Sequence, residues 1–310
     1  MSLQTEIMSP VTTAGMMYPA LHNMIIQTIM PNMVGRNFYM PYSMTSGNAV
    51  TFAKQSGSPG AVADEISEGA EIPLDVTSYS QVVVVPKKVG QGLIITRETI
   101  EDAQLPVQAD QLMRKALIVA NKIDKDCIDT LDAGASGSVT ASGKSLALDG
   151  TEFVLSGSGG PGIGYYDIVD AQSLVENNNF KPDSLLIHPR ALKYLKRLPH
   201  FTAAFSVGGN GRMSSGMPAV PGVVGEVLGL DVFVSTNCPT GSAYVICRGA
   251  NPTITGQYSP LGFFVERRPI TTEVQAMPSR DSMGIFITTR YGVTVTVGDA
   301  ACKIASINVD

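Results

Sequence analysis

Residues 70–96 read AEIPLDVTSYSQVVVVPKKVGQGLIIT. The first half, LDVTSYSQ, holds strand-forming residues without a continuous apolar face, whereas VVVV and LII are apolar on both faces. A half-buried strand alternates apolar and polar side chains, and this stretch does so poorly throughout. It predicts one long strand whose outer end has nothing of its own to lie against and whose inner end enters a deep core. Upstream, NAVTFAK (48–54) predicts a partner strand, and QSGSPGAVADEISEGAEIP between them is a glycine-, serine- and acid-rich tip. The two strands predict a hairpin with arms of roughly ten residues, reaching about 30 Å.

The chain on either side of this hairpin is unlike it. Residues 1–47 hold nine of the fourteen methionines and two charged side chains, Glu6 and Arg36. Prolines at 10, 19, 31 and 41 forbid a long helix, so this arm is extended, adaptable and in need of a surface, on its own domain or another. After the hairpin, TRETIEDAQLP predicts a short helix capped by Thr96. From Pro106 a second helix follows, with Ala109, Leu112, Met113, Ala116, Ala120, Ile123, Cys127 and Leu131 at spacings of three and four. Asp110, Arg114, Lys122, Lys125, Asp129 and Asp132 fall largely between them and give a wet face. Its length to Leu131 is about 40 Å.

Residues 133–164 read as loop with one short hairpin; YYDIVDAQSLVENNN and RALKYLKRL read as helices, with SLLIHP a strand between them. LDVFVS, AYVICRG, FFVERRPITTEVQ, GIFITTRYGVTVTVG and ACKIASINV read as strands. The inventory is α+β and holds no internal repeat.

Of the 310 residues, 44% are hydrophobic and 16% charged, against about 25% charged in ordinary soluble domains. So little charge fits a surface largely covered by other subunits, or simply a low-charge globule. A net charge of −5 argues against gripping nucleic acid through a basic surface, though a wall that only encloses nucleic acid needs none. Cys127, Cys238, Cys247 and Cys302 lack metal or redox spacing and read as small buried apolar groups. The apolar stretch MMYPALHNMIIQTIMP is interrupted and too short to span a bilayer, so the reading is a soluble chain without membrane contact.

Chemical motifs are sparse. Gly157-Ser158-Gly159-Gly160-Pro161-Gly162 fits GxGxxG ahead of a helix, with Glu176 downstream, but no repeated βαβ pattern follows. His188 precedes Pro189 at a strand-to-helix turn, where it is expected to donate to backbone; His22 and His200 have no partner at metal-ligand spacing. No catalytic residue, metal site or cofactor is predicted.

The order of elements is more telling. An apolar arm and a long acid-tipped hairpin lead through ITRETIEDA into a long helix. Then come YYDIVDAQSLVENNNFKPDSLLIHPRALKYLKRL, a glycine-rich loop, VLGLDVFVSTNCPTGSAYVICRGA and a β-rich tail. From about Asn48 to Ile307 this resembles the major capsid protein of tailed viruses, the Hong Kong 97-type fold shared with encapsulin shells. The resemblance implies an N-terminal arm (1–47), an extended hairpin or E-loop (48–96) and a spine helix of the peripheral domain (97–132). It further implies an axial domain (133–262), peripheral-domain strands (263–298) and a last strand returning to the axial domain (299–310). The implied role is a coat subunit forming pentamers and hexamers in an icosahedral shell around double-stranded DNA, enclosed without sequence-specific contact. It implies a virion location, assembly in the host cytoplasm, and separate scaffolding, portal and cementing proteins. The rivals are an encapsulin-like cellular compartment and, from a different class, an enzyme with a nucleotide site at Gly157–Gly162.

Some relatives weld their shells through a hairpin lysine joined to an asparagine. Residues 55–86 hold no lysine and 275–284 no asparagine, so no such weld is expected. The hairpin instead poses a charge problem: Asp64, Glu65, Glu68 and Glu71 crowd its tip, and its own basic groups, Lys87 and Lys88, lie at its base. The expected subunit-interface set is these six residues with Arg97, Arg212, Arg267, Arg268 and Arg280.

Overall fold

The computed structural model describes residues 25–26, 29, 33–56, 78–96, 98–99, 107–146, 151–157, 159–197, 223–248 and 261–309. Within them, residues 78–96 form two strands and not one. β2 (Val50–Ser56) and β3 (Ser78–Val84) make the hairpin, with Val50 opposite Val84 and Ser56 opposite Ser78; β1 (Met40–Ser43) precedes them. Pro86 has no N–H to donate and ends the ladder, so β4 (Lys87–Thr96) leaves for another sheet. The inner end is also not deep. Val84 and Ile95 are buried, but Val83, Val85 and Ile94 are 58%, 49% and 51% exposed. The run is apolar on both faces, yet the described residues cover only one of them.

The long helix α1 (Val107–Gly134) buries Leu112, Ala116, Ala120, Ile123, Cys127 and Leu131 as the spacing predicts, together with Val119 and Ile128. Met113 is 40% exposed and lies outside that stripe. The short helix before α1 is described at Glu98–Thr99, where the Thr99 N–H donates to Thr96 Oγ1 at 3.4 Å, as an N-cap does.

Two sheets flank α1. The first has four strands in the order β1, β14 (Gly262–Met277), β15 (Ser282–Val295), β4. β1 runs parallel to β14 and the remaining pairs are antiparallel. The second sheet uses β5 (Gly137–Thr140), β10 (Ser184–Ile187), β11 (Val223–Val227), β12 (Leu230–Val234), β13 (Ala243–Ile246) and β16 (Ala301–Ala305). Their spatial order is β11-β12-β10-β13-β16-β5. β10 and β13 are buried at every position, as central strands covered on both faces must be. α2 (Tyr165–Asn177) and α3 (Pro189–Leu195) pack on this sheet and share its core.

One expectation changes here, and one alternative left open by the sequence is decided. Residues 133–164 hold more than a loop with one hairpin. β5 joins the sheet edge parallel to β16, and β6 (Lys144–Leu146) with β7 (Glu152–Val154) and β8 (Ser156–Gly157) with β9 (Gly160–Pro161) make two short hairpins. The arm, where described, lies on its own chain: Ile25, Ile29, Met33, Val34, Phe38 and Tyr39 are buried in the same core as α1. Its last residues become β1, the edge of the first sheet.

Candidate functional site

Three carboxylates on α1 tie the parts together. Asp124 is 1% exposed and accepts from the Gly35 N–H at 2.6 Å, the Ser235 hydroxyl at 2.7 Å and the Asn237 amide at 2.7 Å. The arm can come this close because Gly35 has no side chain; a Cβ there would lie 2.9 Å from that of Cys127. Asp126 points to the four-stranded sheet and accepts from Tyr291 at 2.8 Å and from Lys122 at 2.6 Å. Burial and this carboxylate push the Tyr291 hydroxyl upward, and the hydrogen bond to Asp126 raises Lys122. Asp132 reaches the six-stranded sheet, where Tyr244 and Lys303 donate to it. A cation and a hydroxyl together hold its carboxyl below the ordinary carboxylate range, although burial alone would raise it.

The sign of the Asp132 effect follows. A carboxylate depressed in the folded state stabilises the fold above its unfolded value and loses that contribution as the pH falls through the folded one. The subunit should lose up to about 1 kcal/mol of stability on acidification below about pH 4 through this group, which is only partly buried. Denaturant titrations should show that Asp132→Asn removes this increment, and an unchanged acid limb would refute the assignment.

The hairpin root is a second, smaller core. Met44, Val84 and Val265 are buried, with Val50, Phe52 and Phe263 packed around them. Phe52 stacks on Phe263 at 4.1 Å and meets Tyr42 edge-on at 5.4 Å. Arg290 on β15 donates to the Pro86 carbonyl at 3.2 Å and to Asn48 Oδ1 at 3.3 Å, holding both chain ends of the hairpin. Gly292 lets the root approach: a Cβ there would lie 2.7 Å from Val84 Cγ1. A cleft of about 620 Å³ separates this root from α1, lined by Lys87, Lys88, Lys122, Asp126, Asp129 and Tyr291 among others.

Asp64, Glu65, Glu68, Glu71, Arg97 and Arg212 lie outside the described residues. The other expected basic groups are spread out. Lys87 and Lys88 begin β4, facing Tyr291 and Arg290 across the ladder. Arg280 sits in the turn at the far end of the β14–β15 pair. Arg267 donates to the Met44 carbonyl at 3.4 Å, and Arg268 lies opposite Arg290 between two irregularities of the β14–β15 ladder. Arg290 and Asp124 were not anticipated as organising residues.

The glycine motif serves other contacts. Gly157 pairs with Gly160 in the β8–β9 hairpin. The donors at the start of α2 are taken by the chain itself: the Gly164 N–H by Asp167 at 2.7 Å, the Tyr165 N–H by Ser145 at 2.9 Å. A phosphate there would meet the buried Asp167 carboxylate, which also accepts from Ser142 and Gly143. His188 accepts rather than donates: its Nδ1 takes the Arg190 N–H at 3.1 Å and caps α3. Burial and then Arg190 lower its basicity, in keeping with a neutral acceptor. The four cysteines are buried and none forms a disulfide, and burial raises the Cys238 thiol to about 12 and Cys302 to about 11. Among the described residues no helix is long and apolar enough to cross a membrane.

A family model described as phage capsid protein matches residues 79–304, from the returning strand of the hairpin to β16. The chain belongs to this family of phage capsid proteins. Its fold is also that of solved capsid structures. A Mycobacterium phage Che8 structure aligns with TM-score 0.59 at 17% identity, covering 84% of this chain and 85% of that one. The capsid of cyanophage P-SCSP1u aligns with TM-score 0.62 at 12% identity over 89% and 88%. A virus-like particle from Pyrococcus furiosus aligns with TM-score 0.57 at 10% identity over 93% and 99%. At such identities the likeness is one of fold, and that fold is the Hong Kong 97 type expected from the order of elements. A search of curated protein sequences found no significant match.

Proposed function

We propose that this phage capsid protein is the major coat subunit of a tailed virus, assembling as pentamers and hexamers into an icosahedral shell around double-stranded DNA. The observation that carries the reading is the family match across residues 79–304, together with a projecting hairpin rooted outside the main core. In this reading the first sheet and α1 build the peripheral domain. Residues 133–262, with the returning β16, build the axial domain. The acidic hairpin tip reaches a neighbour's basic groups, and the subunit does its work by contact, without catalysis. DNA is held by enclosure, in keeping with the net charge of −5. Scaffolding, portal and cementing functions fall to separate proteins, and shells form in the host cytoplasm.

Negative-stain microscopy of the purified chain tests this directly. Closed shells of uniform size are expected. Monomers or small oligomers under all assembly conditions would refute the shell. Shells that retain an enzyme and no DNA when isolated from cells would favour the compartment reading, whose fold the Pyrococcus furiosus particle shares.

A further inference from the structure

The basic residues of α3 share one face. Arg190, Lys193, Lys196 and Arg197 lie on this helix and its C-terminal turn, at separations of three, four and seven residues. Such spacings gather side chains on a common side of a helix, about 5–6 Å apart. The opposite side holds Ala191, Leu192, Tyr194 and Leu195, all buried in the core, so packing fixes the basic side outward. Arg190, Lys196 and Arg197 are exposed and Lys193 is half-buried. Among the described residues no carboxylate pairs with any of the four, and Lys193 donates to the Val309 carbonyl at 2.6 Å. Residues 235–242 and 306–309 reach the same end of the six-stranded sheet and hold no charged side chain. Asp310, which follows them, lies outside the described residues. The helix dipole favours Lys196 and Arg197 at the C-terminal end but disfavours Arg190 in the first turn, so it does not account for the set.

The sequence extends the asymmetry. From 184 to 225 the chain holds five basic residues, these four and Arg212, and no Asp or Glu. A chain of net charge −5 thus carries +5 here and −10 elsewhere. None of the exposed large apolar side chains lies on this helix. Protein interfaces are anchored by such groups and depleted in lysine, whereas DNA phosphates are met by lysine and arginine together. We infer that the exposed face of α3 binds the phosphate backbone of double-stranded DNA, independently of base sequence. The choice of DNA rests on the shell reading and goes beyond enclosure: it assigns a contact surface and turns α3 toward the lumen.

The two residue types act differently on phosphate. A guanidinium group meets two oxygens in a planar, two-pronged manner, while an ammonium group acts as a point charge. Neutralised phosphates release condensed counterions, so each contact steepens the fall of affinity with salt by about 0.9 on logarithmic scales. Four contacts on one subunit hold DNA weakly, and many copies engaging one continuous polymer hold it far more firmly.

A short fluorescent DNA duplex titrated into the full-length subunit before assembly, and followed by anisotropy, provides the test. Wild-type affinity should fall roughly a hundredfold over a fourfold rise in salt. Combining Arg190→Gln, Lys196→Gln and Arg197→Gln should leave a fall of roughly fourfold, the share of Lys193, with thermal unfolding unmoved. Arg190→Lys with Arg197→Lys keeps the charge and should keep the salt dependence. Lys87→Gln, Lys88→Gln and Lys125→Gln together remove as much charge elsewhere and should leave it unchanged. Two duplexes of unrelated sequence should behave alike. No binding by the wild type at low salt, an unchanged salt dependence in the α3 variant, or an equal loss in the Lys87, Lys88 and Lys125 variant would overturn the surface. Unchanged DNA affinity with slowed assembly would assign the face to contacts between copies and likewise overturn it. A chain that binds DNA as expected but never forms particles would overturn the shell reading and leave this surface standing.

Discussion

Replacing Asp124 with alanine should destabilise the subunit by about 3–5 kcal/mol. The carboxylate is buried and accepts three hydrogen bonds from two separate segments: the arm at Gly35 and the turn after β12 at Ser235 and Asn237. Removing it strands two buried donors and opens a void, and stranded donors carry the desolvation cost of groups that have lost water and gained nothing. Asp124→Asn keeps the shape but turns an amide toward a donor, so about 1–3 kcal/mol is expected. Denaturant unfolding of the soluble subunit measures both. A loss below about 1 kcal/mol for the alanine variant would show that the arm and this turn are held against α1 by apolar packing alone.

Deleting residues 56–72 should leave a folded subunit and abolish closed shells. The hairpin root has its own small core around Met44, Val84 and Val265, apart from the core that α1 and the two sheets share. Truncation beyond it therefore subtracts little from the fold. The loss should fall on contacts with other copies, since among the described residues β2 and β3 form a two-stranded sheet whose outer edges pair with no other strand. Circular dichroism should be close to wild type, while microscopy shows no closed particles. Normal shells from the deleted protein would refute the assignment of the hairpin to assembly.

Much of this was legible in advance, and the failures have physical causes. The stripe from Leu112 to Leu131 gave α1 because helical periodicity is a local property of the sequence. The hairpin was legible for the same reason, but its return strand was drawn too long. Pro86 was the missed signal: a proline between VVVV and KK marks where a ladder must stop. Exposed valines were mistaken for deep ones because a run apolar on both faces looks alike whether the second face meets its own core or nothing. Asp124 was invisible: a lone acid beside the apolar positions of a helix gives no hint that two distant segments donate to it. β5 was missed because its partner is β16, at the other end of the sequence.

That last pairing belongs to a wider pattern with a consequence for biosynthesis. β1 and β4 sit at the two edges of a sheet whose central strands are β14 and β15, and β5 reaches the rest of its sheet only through β16. Neither sheet can close before residues 262–305 leave the ribosome. At about 5–20 residues per second, β4 therefore waits on the order of ten seconds or more for its neighbour. Folding is therefore late and dominated by distant contacts, and the edge strands stay unpaired until β14 and β15 emerge. The same order acts as proofreading. A chain that terminates before β14 lacks the middle of one sheet and the link to β5 in the other, so incomplete translation products have no finished surface with which to join a growing particle.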